Sequence, residues 1–148
     1  MREILFRGKK HRKSVFDKTD WVYGSLIDSG NHDQVAIYPW INGASTMSVR
    51  QLVYSRMEGV KHETVGQYTG LTDKNGKKIF EGDVVLYPWN DEDKPERFTI
   101  KFKDGHFVAS PVKETDDYWD FMVGGYSEEM EIIGNIHDNP ELLQAKEE

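Results

Sequence analysis

The stretch Glu63-Thr-Val-Gly-Gln-Tyr-Thr-Gly-Leu-Thr-Asp-Lys-Asn-Gly-Lys-Lys-Ile-Phe-Glu-Gly-Asp-Val-Val85 constrains this fold more than any other part of the sequence. It reads as a short strand, a tight turn at Asn75-Gly76, and a second strand announced by Glu81-Gly82-Asp83. Glycine at position 82 permits a sharp turn, and the carboxylate beside it is placed to accept backbone N–H groups and close that turn. A chain organised around such a segment is built from short strands.

The rest of the sequence agrees. Aromatic and β-branched residues are plentiful, and long apolar patterns of period 3.6 are scarce. Ile4 and Phe6 alternate with polar neighbours as a first strand, and Gly8 to Lys13 reads as a loop. Trp21 to Ile27 puts Trp21 and Tyr23 on one face and Val22 on the other, with Gly24 marking a bulge or a close backbone approach. Asp28 to Asp33 is turn chemistry, and Gln34 to Tyr38 returns as a strand that Pro39 interrupts. From Ile41 to Val60 the reading is mixed. Gly43-Ala-Ser-Thr is loop-like, while Val49 to Tyr54 fits a strand or a helical turn, and the alternation of Val49, Gln51 and Val53 favours strand.

Beyond the central stretch, Val84 to Tyr87 is apolar throughout, as in a strand buried on both faces, and Pro88 ends it. Asn90 to Pro95 is a polar loop. Phe98, Ile100 and Phe102 alternate with Thr99, Lys101 and Lys103, which predicts a half-buried strand. Asp104-Gly105 supplies a type I′ turn, and His106 to Ala109 pairs back. Tyr118 to Met122 offers another short strand and Glu131 to Ile136 the last one. Asn139-Pro140-Glu141 opens a C-terminal helix, with Asn as cap, proline first and an early acid suited to the dipole. The expected architecture is mainly β. An N-terminal β-rich unit with its connecting segment spans 1–60, and an SH3-like small barrel with a short C-terminal helix spans 61–148.

With no cysteine, disulfides and thiolate metal ligands are excluded, which fits a reducing cytosol. Met1 to Arg7 is too short in apolar content for a signal peptide, and no run approaches a membrane span. The expectation is a cytoplasmic protein with no membrane partner. The formal net charge of -7 hides a gradient. Residues 1–13 hold Arg2, Arg7, Lys9, Lys10, Arg12 and Lys13 against Glu3 alone, whereas acids dominate from Glu114 onward. Overall acidity argues against a dedicated nucleic-acid binder, because phosphate attraction is the sequence-independent part of that affinity.

No residue set forms a catalytic constellation. The histidines at 11, 32, 62, 106 and 137 lack a metal-ligand spacing such as H-E-x-x-H, and read as turn histidines. The acidic runs Asp91-Glu-Asp93, Asp116-Asp117 and Glu128-Glu129 match no cation loop and read as solvated charge. The serines lack a nucleophile elbow, and the glycines follow no phosphate-loop pattern. No cofactor and no metal are expected. Gly66, Gly70, Asn75, Gly76, Gly82, Asp83, Gly134, Asn139 and Pro140 are read as residues that shape the backbone. The aromatics exceed what a small barrel hides, and Tyr38-Pro39-Trp40 and Tyr87-Pro88-Trp89 repeat one pattern. Trp40, Trp89, Tyr118 and Trp119 are therefore candidates for a protein interface, with covering the edge of the core as the plain alternative.

Three blocks carry a resemblance. Met1-Arg-Glu-Ile-Leu-Phe-Arg-Gly8 looks like the opening of the YopX family of phage and prophage proteins, Glu63 to Val85 resembles its central signature, and Ile132-Ile-Gly-Asn-Ile-His-Asp-Asn-Pro-Glu-Leu-Leu143 is similar to its closing motif. Trp21-Val-Tyr-Gly-Ser-Leu26 resembles a recurrent element. Lys61-His62 stands where the family often has Asp-Pro, and His137 where an aromatic is more usual. The resemblance implies a β-rich, oligomeric phage or prophage protein of undetermined biochemical role, and it supplies no catalytic or ligand residues. The expected function is that of a non-enzymatic accessory protein acting through self-association or through a host or phage protein partner. The alternative is a nucleic-acid-binding regulator using Arg7, Lys9, Lys10, Arg12, Lys13, Lys101 and Lys103 beside exposed aromatics.

Overall fold

Alternation along Trp21–Asp28 (β2) sets the first sheet, because Val22 and Leu26 point to one face and Trp21, Tyr23 and Ser25 to the other. The structure is a computed structural model that describes residues 2–31, 33–40, 43, 45–89, 94–113 and 119–144. The chain divides into two units, Met1–Gln67 and Tyr68–Glu148.

In the first unit, β1 (Phe6–Lys9) and β3 (Val35–Pro39) flank β2, and the two-residue β4 (Glu58–Gly59) borders β3. All neighbours run antiparallel, in registers such as Arg7↔Tyr23 and Leu26↔Ile37. On its other edge, β1 receives the first residues of β5 (Gly66–Thr72), with Arg7 opposite Gly66. Val22, Val35, Ile37 and Val60 form the core under this sheet, joined by Phe6, Leu26 and Val65. Gly24 is required by a close approach: a Cβ there would overlap the Tyr38 carbonyl on the neighbouring strand.

Two expectations for this unit are corrected. Gly8 to Lys10 is not loop, since β1 continues to Lys9 and Lys10 forms a bridge with Val60. The reason is non-local: Val60 packs against Gly8, where an added Cβ would lie 3.1 Å from its side chain. The second correction concerns Val49–Arg56, which is a helix (α1) and not a strand. Ser48 and Gln51 form a reciprocal capping box, with the Ser48 N–H donating to Gln51 Oε1 at 2.9 Å and the Gln51 N–H to Ser48 Oγ at 3.3 Å. That start signal outweighs a short period-two alternation.

In the second unit, β7 (Asp83–Tyr87), β8 (Glu96–Lys103), β9 (His106–Pro111), β10 (Phe121–Met122) and β11 (Glu131–Asn135) form an antiparallel sheet in the order β10-β9-β8-β7-β11. The later part of β5 pairs with β6 (Lys78–Phe80). Ile79 reaches a core shared with Val85, Tyr87, Phe98, Ile100, Ala109, Val123 and Met130. As expected, β7 is almost wholly buried. Asp104 (φ 53°) and Gly105 (φ 83°) make the two-residue turn between Lys103 and His106, and both carry the positive φ that a type I′ hairpin demands.

Three details of this unit depart from expectation. Phe102 is 55% exposed while Thr99 is buried, so strict alternation fails along β8. Phe102 lies beside the hairpin turn, where its ring meets Phe107 edge-on at 5.1 Å instead of the core. The C-terminal helix is a single 3₁₀ turn, Pro140–Leu143, and Asn139 does not cap it with its side chain. Asn139 Oδ1 instead accepts the Asn135 N–H at 3.3 Å. Finally, β10 and β11 stand at opposite edges of the sheet, and no strand pairing joins them among the described residues, so the sheet is open. Of the expected loop Asn90 to Pro95, residues 90–93 lie outside the described residues, as do Tyr118, His32 and Asp116-Asp117.

Candidate functional site

Several side chains with more than one polar partner act on the backbone. Asp73, only 4% exposed, accepts the N–H groups of Asn75 and Lys77 on Oδ1, both at 2.9 Å, and that of Ile132 on Oδ2 at 3.0 Å. One carboxylate thus closes the β5–β6 turn and ties it to the first residues of β11. Burial pushes the Asp73 carboxyl up, and the three donated hydrogen bonds more than offset this, holding it below its ordinary value. Sequence reading passed over Asp73, although Asp73-x-Asn75-Gly76 is a side-chain-closed turn pattern.

The structure gathers several of the signature residues at one place. Asp83 Oδ2 accepts the Phe80 N–H at 2.8 Å, the Gly82 N–H donates to the Ile100 carbonyl at 2.8 Å, and the Ile136 N–H donates to the Gly82 carbonyl at 2.8 Å. Gly134 lies so close to Asn139 that an added Cβ would sit 2.5 Å from its Oδ1. The His137 ring lies against Gly82, 3.5 Å from where a Cβ would stand. Pro140 begins the terminal 3₁₀ turn, whose carbonyls Arg97 clasps: Nη1 donates to Leu142 O at 2.7 Å and Nη2 to Gln144 O at 2.6 Å. Gly70 and Gly76, both of positive φ, and Asn75 stay with the β5–β6 hairpin, while Gly66 belongs to the first unit.

Of the candidate basic residues, Arg7, Lys9, Lys10 and Lys103 are held in place. Arg7 is 6% exposed, with its guanidinium 4.8 Å from the centre of the Trp21 ring. Lys9 Nζ approaches the same ring at 5.7 Å and pairs with Asp20 at 3.3 Å, and Lys10 pairs with Asp17 at 3.3 Å. The Ser14 N–H and then Lys10 hold the Asp17 carboxyl below its usual range. Arg12 and Lys13 are exposed. In the second unit, Lys103 Nζ sits 2.9 Å from Asp120, lowering the carboxyl and raising the ammonium, while Lys101 is exposed.

The candidate aromatics separate in the same way. Trp89 packs on the second core, against Phe98 at 5.9 Å and Phe121 at 5.1 Å. Trp119, 64% exposed, rests edge-on against Trp89 at 6.0 Å. Trp40, 48% exposed, is oriented by its Nε1–H donating to Ser25 Oγ at 2.8 Å. Tyr118 lies outside the described residues. Beside Phe121, whose ring lies 5.1 Å away, burial first and then the Glu129 charge raise the Tyr87 hydroxyl above its ordinary value.

Sequence reading left α1 open between a strand and a helical turn and leaned to strand. None of its residues is buried, and Val49 and Tyr54 are 76% and 83% exposed. Met47 and Met57, which flank it, are exposed as well. Among the described residues, no group of three or more His, Asp or Glu side chains is arranged to hold a metal ion, and no helix is long and apolar enough to cross a membrane.

Comparison with known proteins places this geometry. A family model described as "YopX protein" matches residues 6–144. The "SPbeta prophage-derived uncharacterized protein YopX" of Bacillus subtilis (strain 168) is 34% identical over 72 residues, covering 47% of this chain and 53% of that protein. The chain thus matches about half the length of that curated relative. The crystal structure of protein EF1440 from Enterococcus faecalis aligns with a TM-score of 0.57 at 24% identity, covering 97% of this chain and 100% of the other. That likeness is one of fold.

Proposed function

The chain belongs to the YopX family, and on that premise we propose a phage or prophage accessory protein that works in the host cytoplasm without catalysis, by self-association or by gripping a host or phage protein. The observation that carries this reading is α1. A helix of eight residues with no buried side chain draws little stability from its own sheet, yet it holds Val49 and Tyr54 in water. Support for a non-catalytic role comes from Asp73, Asp83 and Asn139, whose side chains are engaged with backbone N–H groups. For the second unit we keep the SH3-like reading, supported by its short antiparallel strands and by the bend at Gly82 between β6 and β7.

The test is light scattering on the full chain together with a pull-down from phage-infected cells. A mass above the 17.2 kDa of one chain is expected, reduced by Val49→Ser with Tyr54→Ser. A monomer at every concentration that also retains no partner removes the reading. The nucleic-acid alternative draws its support from the first unit, where ten Lys and Arg face seven Asp and Glu. It predicts oligonucleotide binding that weakens steeply as salt rises, and an absence of binding at low salt ends it.

A further inference from the structure

We infer that copies of this chain associate head to tail, with the outer side of α1 on one copy seated against Met122–Glu129 of the next; the inference rests on the self-association reading above. The two surfaces match in character and oppose in sign. On α1, Arg50 and Tyr54 stand four residues apart and therefore share one side of the helix, which carries no acid. On the other surface, Met122 and Tyr126 are 58% and 45% exposed, beside the exposed carboxylates of Glu128 and Glu129. That second surface is braced. The Tyr126 N–H donates to Val123 O at 3.2 Å, the Glu129 N–H to Tyr126 O at 3.1 Å and the Met130 N–H to Ser127 O at 3.0 Å, while Val123 and Met130 are fully buried. Neither Arg50 nor Glu128 enters an ion pair among the described residues.

Charge at the scale of the units selects the polarity of the contact. The first unit holds ten Lys and Arg against seven Asp and Glu, and the second nine against nineteen. A contact between two second units sets like charge against like, whereas first against second pairs opposite signs. Arg and Tyr are also the side chains that most often carry an interface. A contact between two different patches of one chain is heterologous, so it closes into a ring or extends as a filament.

The experiment follows the mass of the full chain by size exclusion with light scattering, from about 0.05 M to about 1 M salt, where the screening length falls to about 3 Å. Expected are oligomers at low salt that shrink as salt rises. Arg50→Glu alone, and Glu128→Lys with Glu129→Lys, each lower the associated fraction roughly tenfold. An equimolar mixture of the two variants recovers it, because each then offers a surface opposite in sign to the other's. Tyr54→Ser, an uncharged change on the same side of α1, lowers it as well. A wild-type monomer at every salt removes the self-association half of the proposed function and this inference together, and leaves the protein-partner half to the pull-down. A wild type that assembles while the charge variants or Tyr54→Ser assemble equally well, or whose mixed variants do not recover, removes this inference alone.

Discussion

A single carboxylate shows how this family signature works at the scale of residues. Asp73 is nearly dry, and it remains charged because three backbone N–H groups point at it. Asp73→Asn leaves the shape and removes the charge those donors face. We expect a loss of about 2–3 kcal/mol in urea unfolding at neutral pH, as for hydrogen bonds to a charged group. The pH dependence has a definite sign. The folded-state carboxyl titrates below its unfolded value, so its contribution is complete above about pH 4 and is lost as pH falls through the folded pKa. The gap between wild type and Asp73→Asn therefore narrows on acidification below pH 4. A gap that stays constant down to pH 2 contradicts this account.

At the scale of elements, what was legible in the sequence was what neighbouring residues decide. The Asp104-Gly105 hairpin could be read because its two turn residues alone meet the demand for positive φ. The strands β2, β7 and β9 could be read from alternation or from an unbroken apolar run. The helix α1 could not be, because over eight residues Val49, Gln51 and Val53 also fit a strand, and only Ser48-x-x-Gln51 speaks for a helix. Residues Gly8 to Lys10 were misread because what holds them in the sheet is distant in sequence, the packing of Val60 on Gly8 and its bridge to Lys10, which local pattern cannot see. Of the candidate site, the signature glycines and Asp83 were visible as turn chemistry, whereas Arg97 was silent because the carbonyls it clasps lie 45 and 47 residues away. Two measurements follow. Ser48→Ala removes the cap and costs about 1 kcal/mol locally, so the amides of Leu52 and Val53 exchange roughly fivefold to tenfold faster while global unfolding hardly moves. Arg97→Ala frees the terminal turn, and limited proteolysis then cuts near Leu142 and Leu143 at least several times faster than in wild type. Unchanged cleavage there means that the clasp does not hold the segment.

At the scale of the whole molecule, the net charge of -7 describes neither unit. The first has a small basic surplus and answers part of it with short-range pairs, Lys9 with Asp20 and Lys10 with Asp17. The second carries nineteen acids against nine bases, so its folded state works against its own repulsion. Salt should therefore act on the two units in opposite directions. Between about 0.05 M and about 0.5 M, screening relieves repulsion in the second unit and weakens, to a smaller extent, the half-buried pairs of the first. Hydrogen exchange reads each unit separately. The buried amides of Val84, Val85 and Phe98 in β7 and β8 should gain protection as salt rises, corresponding to about 1 kcal/mol, while those of Val22 and Ile37 in β2 and β3 should stay level or fall slightly. The comparison is made on the wild type at a concentration where light scattering gives the mass of one chain across the range, so that assembly does not contribute protection of its own. Equal gains in both units would mean that salt acts through apolar burial, which does not distinguish them, and that the division of charge is without energetic consequence for the fold.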